Sequence, residues 1–431
     1  MHIAIDARMY GTAQRGIGRY LMKLIEGLEK ISSLRDDSSL SDGQQHYTIF
    51  LRKKNFNEYQ PRNSNFKKAL WDAPWYGLKE QVTGYRLQVT GIDLVHFPHW
   101  NVPLLFRRPF VVTIHDLELF SSNRTRENST RGRAMYWLKL QGFKIVFRHA
   151  VLAARAIIVP SHFVEEQLLD LYPQARKKVQ VIYEAPTVSP SGHTRLDRGS
   201  TINPEVVDSR LRGNDSNRKY VLYVGAAYPH KNLPRLLEAW AIVHQELPDY
   251  QLVLVGREDW FWKRLKEEWT TTSNPSSIRR GNESISSSAR NFPPLPEGRL
   301  GGVGAMGGSN SGVIFHGPAT DAELSMLYKN AVLLVQPSLE EGFSLSPLEA
   351  LAHGTPVAVS DIPVHREILQ DAAFFFNPQS VPVMAQAILR ALTDPGARSR
   401  IAASASAQVS RYSWHEHARK TRDLYSVIDL V

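Results

Sequence analysis

Residues 337–360 read Pro337-Ser-Leu-Glu-Glu-Gly-Phe-Ser-Leu-Ser-Pro-Leu-Glu-Ala-Leu-Ala-His-Gly-Thr-Pro-Val-Ala-Val-Ser360. This stretch predicts the end of a strand, a loop, a helix, a turn and a second strand. Two strands joined through a helix pair in parallel, and parallel sheets are covered by helices on both faces. The stretch therefore predicts an α/β fold.

The same rhythm of β-branched runs and amphipathic stretches continues on both sides of this segment. The predicted strands are His2–Asp6, Tyr47–Arg52, Leu94–Phe97, Val111–Ile114, Ala156–Val159, Val179–Tyr183, Tyr220–Gly225, Gln251–Val255, Gly312–His316, Val332–Gln336, Pro356–Ser360 and Phe374–Phe376. We predict two Rossmann-like, doubly wound domains that face each other across a cleft, with ligands at the carboxyl ends of their strands.

The domain boundaries follow from two polar segments. We predict an N-terminal domain over residues 1–183, a polar linker over 184–218, a C-terminal domain over 219–411 and a last helix over 412–431. A second polar segment, approximately 270–311, interrupts the C-terminal domain. Both segments lack apolar periodicity, so we interpret them as surface insertions rather than functional lids.

Composition limits the classes of function. The 431 residues include no cysteine, which excludes disulfides, thiolate metal sites and thiol nucleophiles. No apolar run could span a bilayer and no signal peptide precedes the first strand, so we expect a cytoplasmic protein. Residues 1–183 carry 27 Lys+Arg against 16 Asp+Glu. This basic half could bind nucleic acid, anionic lipid or an anionic substrate, and charge alone does not distinguish among these partners.

The residues around the first loop suit a nucleotide-linked ligand. The backbone N–H groups of residues 342–345 open a helix and can bind an anion such as a diphosphate. Gly342 lets this backbone approach a ligand closely. Glu349 could accept hydrogen bonds from a ribose diol, and Glu341 could bind sugar hydroxyls or stabilise positive charge at the anomeric carbon. A purely structural alternative stays open, because Ser346–Glu349 also fits a helix capping box.

Glu341 to Glu349 resembles the E-x7-E motif of the retaining glycosyltransferase family 4 enzymes, the group 1 glycosyltransferases of GT-B fold. Further matching segments occur in the expected order: Gly16-Ile-Gly-Arg-Tyr20, Asp93-Leu-Val-His-Phe-Pro98, Val112-Thr-Ile-His-Asp116, Ile158-Val-Pro-Ser161, Val224-Gly-Ala-Ala-Tyr-Pro-His-Lys-Asn232, His316-Gly317 with Asp321-Ala-Glu-Leu324, and Tyr412-Ser-Trp414 with Leu424-Tyr425. The resemblance implies that the last helix crosses back to the N-terminal domain.

The resemblance also assigns roles in donor binding. It implies that Glu349 binds the donor ribose, that Glu341 binds the transferred sugar and that Lys231 neutralises the diphosphate. It also implies that the donor sugar and phosphate contact the backbone of Gly342, Phe343, Ser344 and Leu345. Many relatives carry an arginine where this chain has Ala226 or His230, so we consider Arg257 a substitute.

In the N-terminal half, the resemblance implies a flexible turn at Gly16 and Gly18 that faces the donor phosphates, with Arg19 starting the helix behind it. His115 follows a buried strand, and the matching histidine of the family contacts the donor sugar. The acceptor pocket is predicted at His99, Trp100 and Asn101, for which a packing role is equally open.

We therefore expect a retaining glycosyltransferase of the mannosyltransferase-like branch, without cofactor or metal, because no Asp-x-Asp pair or His and carboxylate cluster is spaced for a cation. The first donor candidate is GDP-mannose and the acceptor is a glycan or lipid-linked oligosaccharide of a surface polysaccharide. UDP- or dTDP-hexose donors are alternatives. A more distant alternative is a non-catalytic basic scaffold or nucleic-acid-binding protein, although no nucleic-acid module is present.

Residues 131–149 interleave basic and apolar residues. This pattern gives peripheral contact with an anionic membrane as a hypothesis.

Overall fold

The computed structural model describes residues 1–11, 15–33, 45–75, 80, 91–120, 133–187, 219–272 and 312–428. Strands in these ranges form one seven-stranded and one six-stranded sheet, and every pairing within them is parallel. The predicted α/β fold with two doubly wound domains is confirmed.

The N-terminal sheet has the strand order β3-β2-β1-β4-β5-β6-β7. Its strands are β1 (His2–Asp6), β2 (His46–Leu51), β3 (Phe66–Leu70), β4 (Leu94–Phe97), β5 (Phe110–Thr113), β6 (Ala156–Val159) and β7 (Val179–Val181). The order reverses between β1 and β4. This switch point opens a crevice at the carboxyl ends of the two strands, where ligands of open α/β sheets bind.

The C-terminal sheet repeats this arrangement with the order β10-β9-β8-β11-β12-β13. Its strands are β8 (Lys219–Val224), β9 (Tyr250–Val255), β10 (Val313–Gly317), β11 (Leu333–Gln336), β12 (Val357–Ser360) and β13 (Phe374–Phe376). Its switch point lies between β8 and β11, so the segments that follow these two strands share one crevice.

Helices cover both faces of each sheet. Those of the N-terminal half are α1 (Arg15–Ser33), α2 (Arg133–Ala153) and α3 (His162–Leu171). Those that follow are α4 (Leu233–Glu246), α5 (Trp260–Thr272), α6 (Asp321–Asn330), α7 (Leu345–Ala352), α8 (Pro363–Leu369), α9 (Val381–Thr393), α10 (Pro395–Ser410) and α11 (Trp414–Val427). Successive side chains of a strand point to opposite faces: Leu333 belongs to the buried cluster that contains Trp240 of α4, while Leu334 belongs to the cluster that contains Leu348 of α7.

The last helix, α11, returns to the N-terminal domain and packs against α1, as predicted. Gly27 of α1 permits this close approach, because a Cβ there would lie 2.7 Å from the Cβ of Ala418. Tyr425 of α11 also hydrogen-bonds through its hydroxyl to His96 Nδ1 of β4 at 2.6 Å. The two domains are therefore linked through the chain terminus as well as through the linker.

Three sequence predictions differ from the structure or fall outside it. Strand β3 was not predicted, since the stretch Phe66–Leu70 has two lysines and no β-branched residue; it forms the edge of its sheet, where charged residues are common. Helix α1 begins at Arg15 and not at Arg19. Most of the two predicted insertions, 188–218 and 273–311, lies outside the described residues.

Candidate functional site

Lys231 and Glu341 follow the two strands that flank the C-terminal switch point. Lys231 ends a short 3-10 turn, Pro229–Lys231, after β8, and Glu341 lies in the loop after β11. The two side chains form an ion pair in which Lys231 Nζ lies 2.7 Å from Glu341 Oε2. The sequence predicted each residue separately, whereas the structure brings them together.

Glu341 is held as a carboxylate by several donors. Its Oε1 accepts hydrogen bonds from Ser338 Oγ at 2.7 Å and from Gln336 Nε2 at 2.9 Å. Burial opposes ionisation, but the Lys231 ammonium and the Ser338 hydroxyl outweigh it and hold the pKa of Glu341 at about 2. A fixed negative charge therefore stands beside a positive one in this crevice.

The loop that follows turns tightly before α7 starts at Leu345. Ser344 adopts a left-handed conformation with φ of 86°, and Phe343 is buried with its ring 5.6 Å from that of Tyr412. Gly342 lies against the N-terminal domain, because a Cβ there would be 2.0 Å from the main-chain oxygen of His115. This part of the loop therefore faces directly across the interdomain cleft.

Glu349 is buried inside α7. Its Oε2 accepts from the Tyr328 hydroxyl at 2.8 Å, and its Oε1 accepts from the main-chain N–H of Thr187 at 3.2 Å and from the Thr187 hydroxyl. The residue that caps α7 is Ser344, and the Ser346 hydroxyl donates to the Val224 carbonyl. The capping-box alternative is therefore wrong, and Glu349 holds hydroxyl and N–H donors from outside its helix.

Within the described ranges, three buried polar atoms around Glu341 have neither a hydrogen-bond nor an ion-pair partner: Gln336 Oε1, Ser344 Oγ and His365 Nε2. His365 is fully buried, and its Nδ1 lies 2.7 Å from the Ser360 carbonyl, so Nδ1 carries the proton. Burial lowers the pKa of His365 to about 4, which leaves Nε2 as a vacant acceptor. Such atoms are rare in proteins and are expected where a polar ligand binds.

Sequence reasoning missed Gln336 and His365. Their positions at strand ends could have revealed both residues. Gln336 ends β11, and His365 follows β12, the next strand of the sheet. Polar residues at the carboxyl ends of neighbouring parallel strands converge on the ligand crevice. Neither residue belongs to a motif, and motif matching alone therefore overlooks them.

The N-terminal glycines lie differently from the prediction. Gly16 and Gly18 are in the first turn of α1 instead of a flexible turn before it, and residues 12–14 lie outside the described part of the chain. The helix start nevertheless faces the other domain, since the guanidinium of Arg19 pairs with Asp321 at the start of α6. The predicted flexible turn is therefore wrong, and Gly16 and Gly18 instead belong to a helix terminus at the cleft.

His115 follows β5, and both of its ring nitrogens have partners. Nδ1 lies 2.8 Å from Glu184 Oε1, and Nε2 lies 3.0 Å from the main-chain oxygen of Pro98. A contact from this ring to a donor sugar would require one of these bonds to break.

The predicted acceptor residues follow β4 at the N-terminal switch point. His99 accepts a hydrogen bond at Nδ1 from the Asn101 main chain, and burial lowers the pKa of His99 to about 3. The Trp100 ring packs edge-on against Phe143 at 4.4 Å. Asn101 donates from Nδ2 to both oxygens of the buried Glu80 at 2.9 Å. Trp100 and Asn101 thus make the packing contacts that the sequence left open.

Glu80 connects this group to a buried ion network that the sequence did not reveal. Arg8, which is fully buried, donates to Glu80 at 2.6 Å and to Asp6 through Nε and Nη2 at 2.8 and 2.7 Å. Its guanidinium also lies 3.7 Å from the ring centre of Trp71. A buried arginine with two carboxylates and an aromatic face is well satisfied, so this network fixes the strand ends of the N-terminal crevice.

Arg257 lies exposed beyond the end of β9, the neighbour of β8 in the sheet. In the described ranges, no group of three or more histidine and carboxylate side chains is arranged to hold a metal ion. No described helix is long and apolar enough to cross a membrane.

The cleft between the domains is nearly closed at this point. Asp116 and Glu118 on one side and Lys231 and Glu341 on the other line a cavity of about 50 Å³. The His230 Nδ1 atom also lies 2.5 Å from Glu118 Oε1 across the cleft. Pockets for small organic ligands measure roughly 300–1,000 Å³, so a nucleotide-sized ligand requires the domains to separate further.

Two family models match the chain. The model described as Glycosyl transferases group 1 matches residues 208–274 and 308–408, and the one described as Glycosyltransferase Family 4 matches residues 48–185. Together they cover the C-terminal sheet, the N-terminal sheet from β2 onward, and the loop that carries Glu341 and Glu349.

Relatives and solved structures agree with these models. The O-antigen chain mannosyltransferase RfbU of Salmonella typhimurium is 23% identical over 92% of each chain. The O-antigen chain mannosyltransferase B of Escherichia coli is 23% identical over 96% of each. The crystal structure of WaaG, a glycosyltransferase involved in lipopolysaccharide biosynthesis, has a TM-score of 0.62 at 15% identity, with 98% of this chain and 99% of that one covered. At this identity, the structural likeness establishes the fold.

Proposed function

The chain belongs to the group 1 glycosyltransferases of family 4, and we propose that it transfers a hexose with retention of anomeric configuration and without a metal ion or cofactor. The proposed donor is GDP-mannose, and the proposed acceptor is a glycan or lipid-linked oligosaccharide of a bacterial surface polysaccharide. The names of the two O-antigen mannosyltransferases support mannose as the transferred sugar and support this pathway class. UDP- and dTDP-hexoses are the alternative donors.

The observation that carries the proposal is the set of vacant acceptors around the Glu341–Lys231 pair. A hexose is rich in hydroxyl donors, and Gln336 Oε1 and His365 Nε2 are acceptors that such donors can fill. Burying a polar group without a partner costs about 1–3 kcal/mol, which a bound sugar would recover. The transferred sugar therefore lies in the crevice between β8, β11 and β12, with Glu341 on its hydroxyls.

The diphosphate lies beside the sugar, over the start of α7. The N–H groups at residues 342–345 and the Lys231 ammonium supply positive potential where negative charge grows on the leaving group. Arg257, after β9, supplies further positive charge to the nucleotide from the neighbouring strand. The ribose lies deeper, where its diol donates to Glu349 in place of the Thr187 hydroxyl.

The chemical step needs no protein nucleophile. The acceptor hydroxyl attacks the anomeric carbon on the face from which the diphosphate departs. The new bond between this oxygen and the anomeric carbon forms as the bond to the phosphate oxygen breaks, and the hydroxyl proton passes to that phosphate oxygen. Glu341 stabilises the oxocarbenium-like centre, and His115 contributes from the N-terminal side.

Donor entry requires the cleft to open, because the present cavity is several times too small. The contacts that must separate include the Arg19–Asp321 pair, the His230–Glu118 pair and the bond from Ser161 Oγ to the Gly342 carbonyl at 2.8 Å. Closure would then restore these contacts over the bound donor and exclude water from the reacting centre.

The acceptor approaches from the basic N-terminal half, where we place peripheral contact with an anionic membrane surface. In the second half of α2, Lys144, Ile145 and Arg148 are exposed while Phe147 is buried in the core. Leu105 and Arg107, also exposed, lie in the loop whose Pro103 carbonyl hydrogen-bonds to His149 of α2. The side chains of residues 131–139 lie outside the described part. A face that mixes cations with exposed aliphatic groups suits a headgroup surface.

Flotation with vesicles of phosphatidylcholine and phosphatidylglycerol tests the membrane contact. The protein should float with anionic vesicles at low salt, and Ile145→Asp with Lys144→Glu should abolish this. Lys266→Glu, an exposed lysine of the other domain, is the control. No flotation of the wild type at low salt would contradict the proposal.

Transfer itself is tested by incubating labelled GDP-mannose and a lipid-linked oligosaccharide fraction with the protein in EDTA. The expected product carries an α-mannosyl residue, identified by its one-bond anomeric carbon–hydrogen coupling, and Glu341→Gln should lose it. A β-linked product, or product only when a divalent cation is added, would overturn the proposed mechanism.

A further inference from the structure

His115 is bonded on both sides by atoms that can only accept. Its Nδ1 faces Glu184 Oε1 at 2.8 Å, and its Nε2 faces the Pro98 carbonyl at 3.0 Å. Neither a carboxylate nor a carbonyl can donate, so both ring nitrogens must carry hydrogen for both bonds to exist. The geometry therefore describes an imidazolium cation.

The groups around His115 stabilise its protonated form. The ring is 15% exposed and the Glu184 side chain 7%. Burial opposes the charge, but the hydrogen bond and negative charge of Glu184, with a further contribution from Asp116, raise the pKa of His115 above its ordinary value.

The other histidines near this ring are neutral. Burial lowers the pKa of His96 and of His99 to about 3, and that of His417 to about 4. The His417 ring stacks edge-on to Tyr20, whose ring lies 4.7 Å from that of His115. The positive charge of this histidine group is therefore concentrated on the one ring that Glu184 contacts.

The main chain of the residue that carries this cation contacts the donor loop. The main-chain oxygen of His115 lies so close to Gly342 that a Cβ there would be 2.0 Å from it. Glu184 itself lies in the segment that leaves β7 toward the linker, and Thr187 of the same segment binds Glu349. One short segment thus contacts both His115 of the N-terminal domain, through Glu184, and Glu349 of the C-terminal domain, through Thr187.

We propose that Glu184 is a positioning residue that holds His115 as a doubly bonded imidazolium at the cleft, so that a fixed positive charge faces the diphosphate as it leaves. The effect of this charge on the leaving diphosphate rests on the proposed transfer reaction. The protonated state of His115 and its bond to Glu184 do not depend on that reaction. His115 then acts through its charge, and neither ring nitrogen needs to contact the sugar.

The direct test is the titration of His115 by NMR on the full-length protein labelled in histidine, with the resonance assigned from its loss in His115→Gln. In the wild type the resonance should titrate above pH 6.5, the ordinary value for histidine. Glu184→Gln keeps the shape and an acceptor oxygen but removes the charge, so the midpoint should move to lower pH. Glu184→Asp, which keeps the charge, should retain a raised midpoint.

The activity arm uses the same variants. The cation is present below the pKa of His115 and is lost as pH rises through it, so kcat should fall on the alkaline side, by about tenfold per pH unit. In Glu184→Gln this fall should begin at lower pH, while the donor KM stays near the wild-type value at acidic pH. Glu118→Gln, which removes a carboxylate bonded to a different histidine across the cleft, should leave the His115 midpoint in place.

Three results would overturn the proposal: a wild-type midpoint at or below 6.5, an unchanged midpoint in Glu184→Gln, or a shifted midpoint without any change in the pH profile of kcat. The titration does not need turnover. Absence of transfer by the wild type would count against the proposed function alone, and the midpoints would still decide whether Glu184 holds the cation.

Discussion

The two sides of the cleft satisfy their polar groups in opposite ways. On the C-terminal side, Gln336 and His365 each leave a buried acceptor without a partner among the described residues. On the N-terminal side, Arg8, Glu80 and Asn101 bond to one another and to Asp6 in a closed network. The first arrangement is built to receive a ligand, and the second is built to hold strand ends in place. Substitutions on the two sides should therefore affect different properties.

The largest effect is expected in the closed network. Arg8→Met leaves two buried carboxylates without their common cation, which should cost about 3–5 kcal/mol of unfolding free energy. Urea denaturation followed by circular dichroism measures this. Arg52→Met removes a more exposed pair with Asp72, 23% and 42% exposed, and should cost less than about 1 kcal/mol. Equal stability of Arg8→Met and wild type would break the comparison.

The next effect belongs to the ligand side. Glu341→Gln removes the carboxylate that faces the sugar, and turnover should fall about 10²–10³-fold while the fold persists. Steady-state kinetics with the donor, together with thermal unfolding, separate the two properties. Glu267→Gln, an exposed glutamate of helix α5, is the control. If Glu341→Gln unfolded the protein instead, the carboxylate would be structural.

A smaller loss is expected at the point where the two sides meet. Gly342→Ala places a methyl group against the His115 main chain, so the closed contact must open and turnover should fall roughly 10–10²-fold. Gly142→Ala, in helix α2 with open space around it, should keep full activity and gain about 1 kcal/mol of stability. Unchanged kinetics in Gly342→Ala would show that closure does not depend on this contact.

The smallest effect should be an improvement in binding. Thr187→Val removes the hydroxyl that occupies Glu349 Oε1 and keeps the main-chain N–H. One released hydrogen bond corresponds to about 1 kcal/mol, so the nucleotide Kd should fall about fivefold. Calorimetric titration measures this change, with Thr393→Val on an exposed helix end as the control. A weaker Kd would mean that Thr187 supports the site instead of competing for it.

The sequence predicted the ligand side better than the network side, for a physical reason. Glu341, Gly342 and Glu349 lie in one continuous stretch, where strand, loop and helix signals fix their relative positions. Lys231 was predicted from its own motif, and parallel pairing of β8 and β11 brings it to Glu341.

The network side depends on residues that are far apart in the chain. Arg8 and Glu80 are 72 residues apart, and no local pattern links them. Their contact arises only when the strand ends meet at the N-terminal switch point. The start of α1 at Arg15 was missed for another reason, since glycines in a first turn read as loop residues although a helix start tolerates them.

The central claim is most directly tested by calorimetric titration of GDP, UDP, dTDP and ADP and their hexose conjugates in EDTA, with wild type and Glu349→Gln. The account predicts saturable binding of one nucleotide family, tighter for the sugar conjugate than for the nucleotide alone, and lost in Glu349→Gln while the variant remains folded. No binding by any of them, or binding that survives in Glu349→Gln, would contradict a donor site at this crevice.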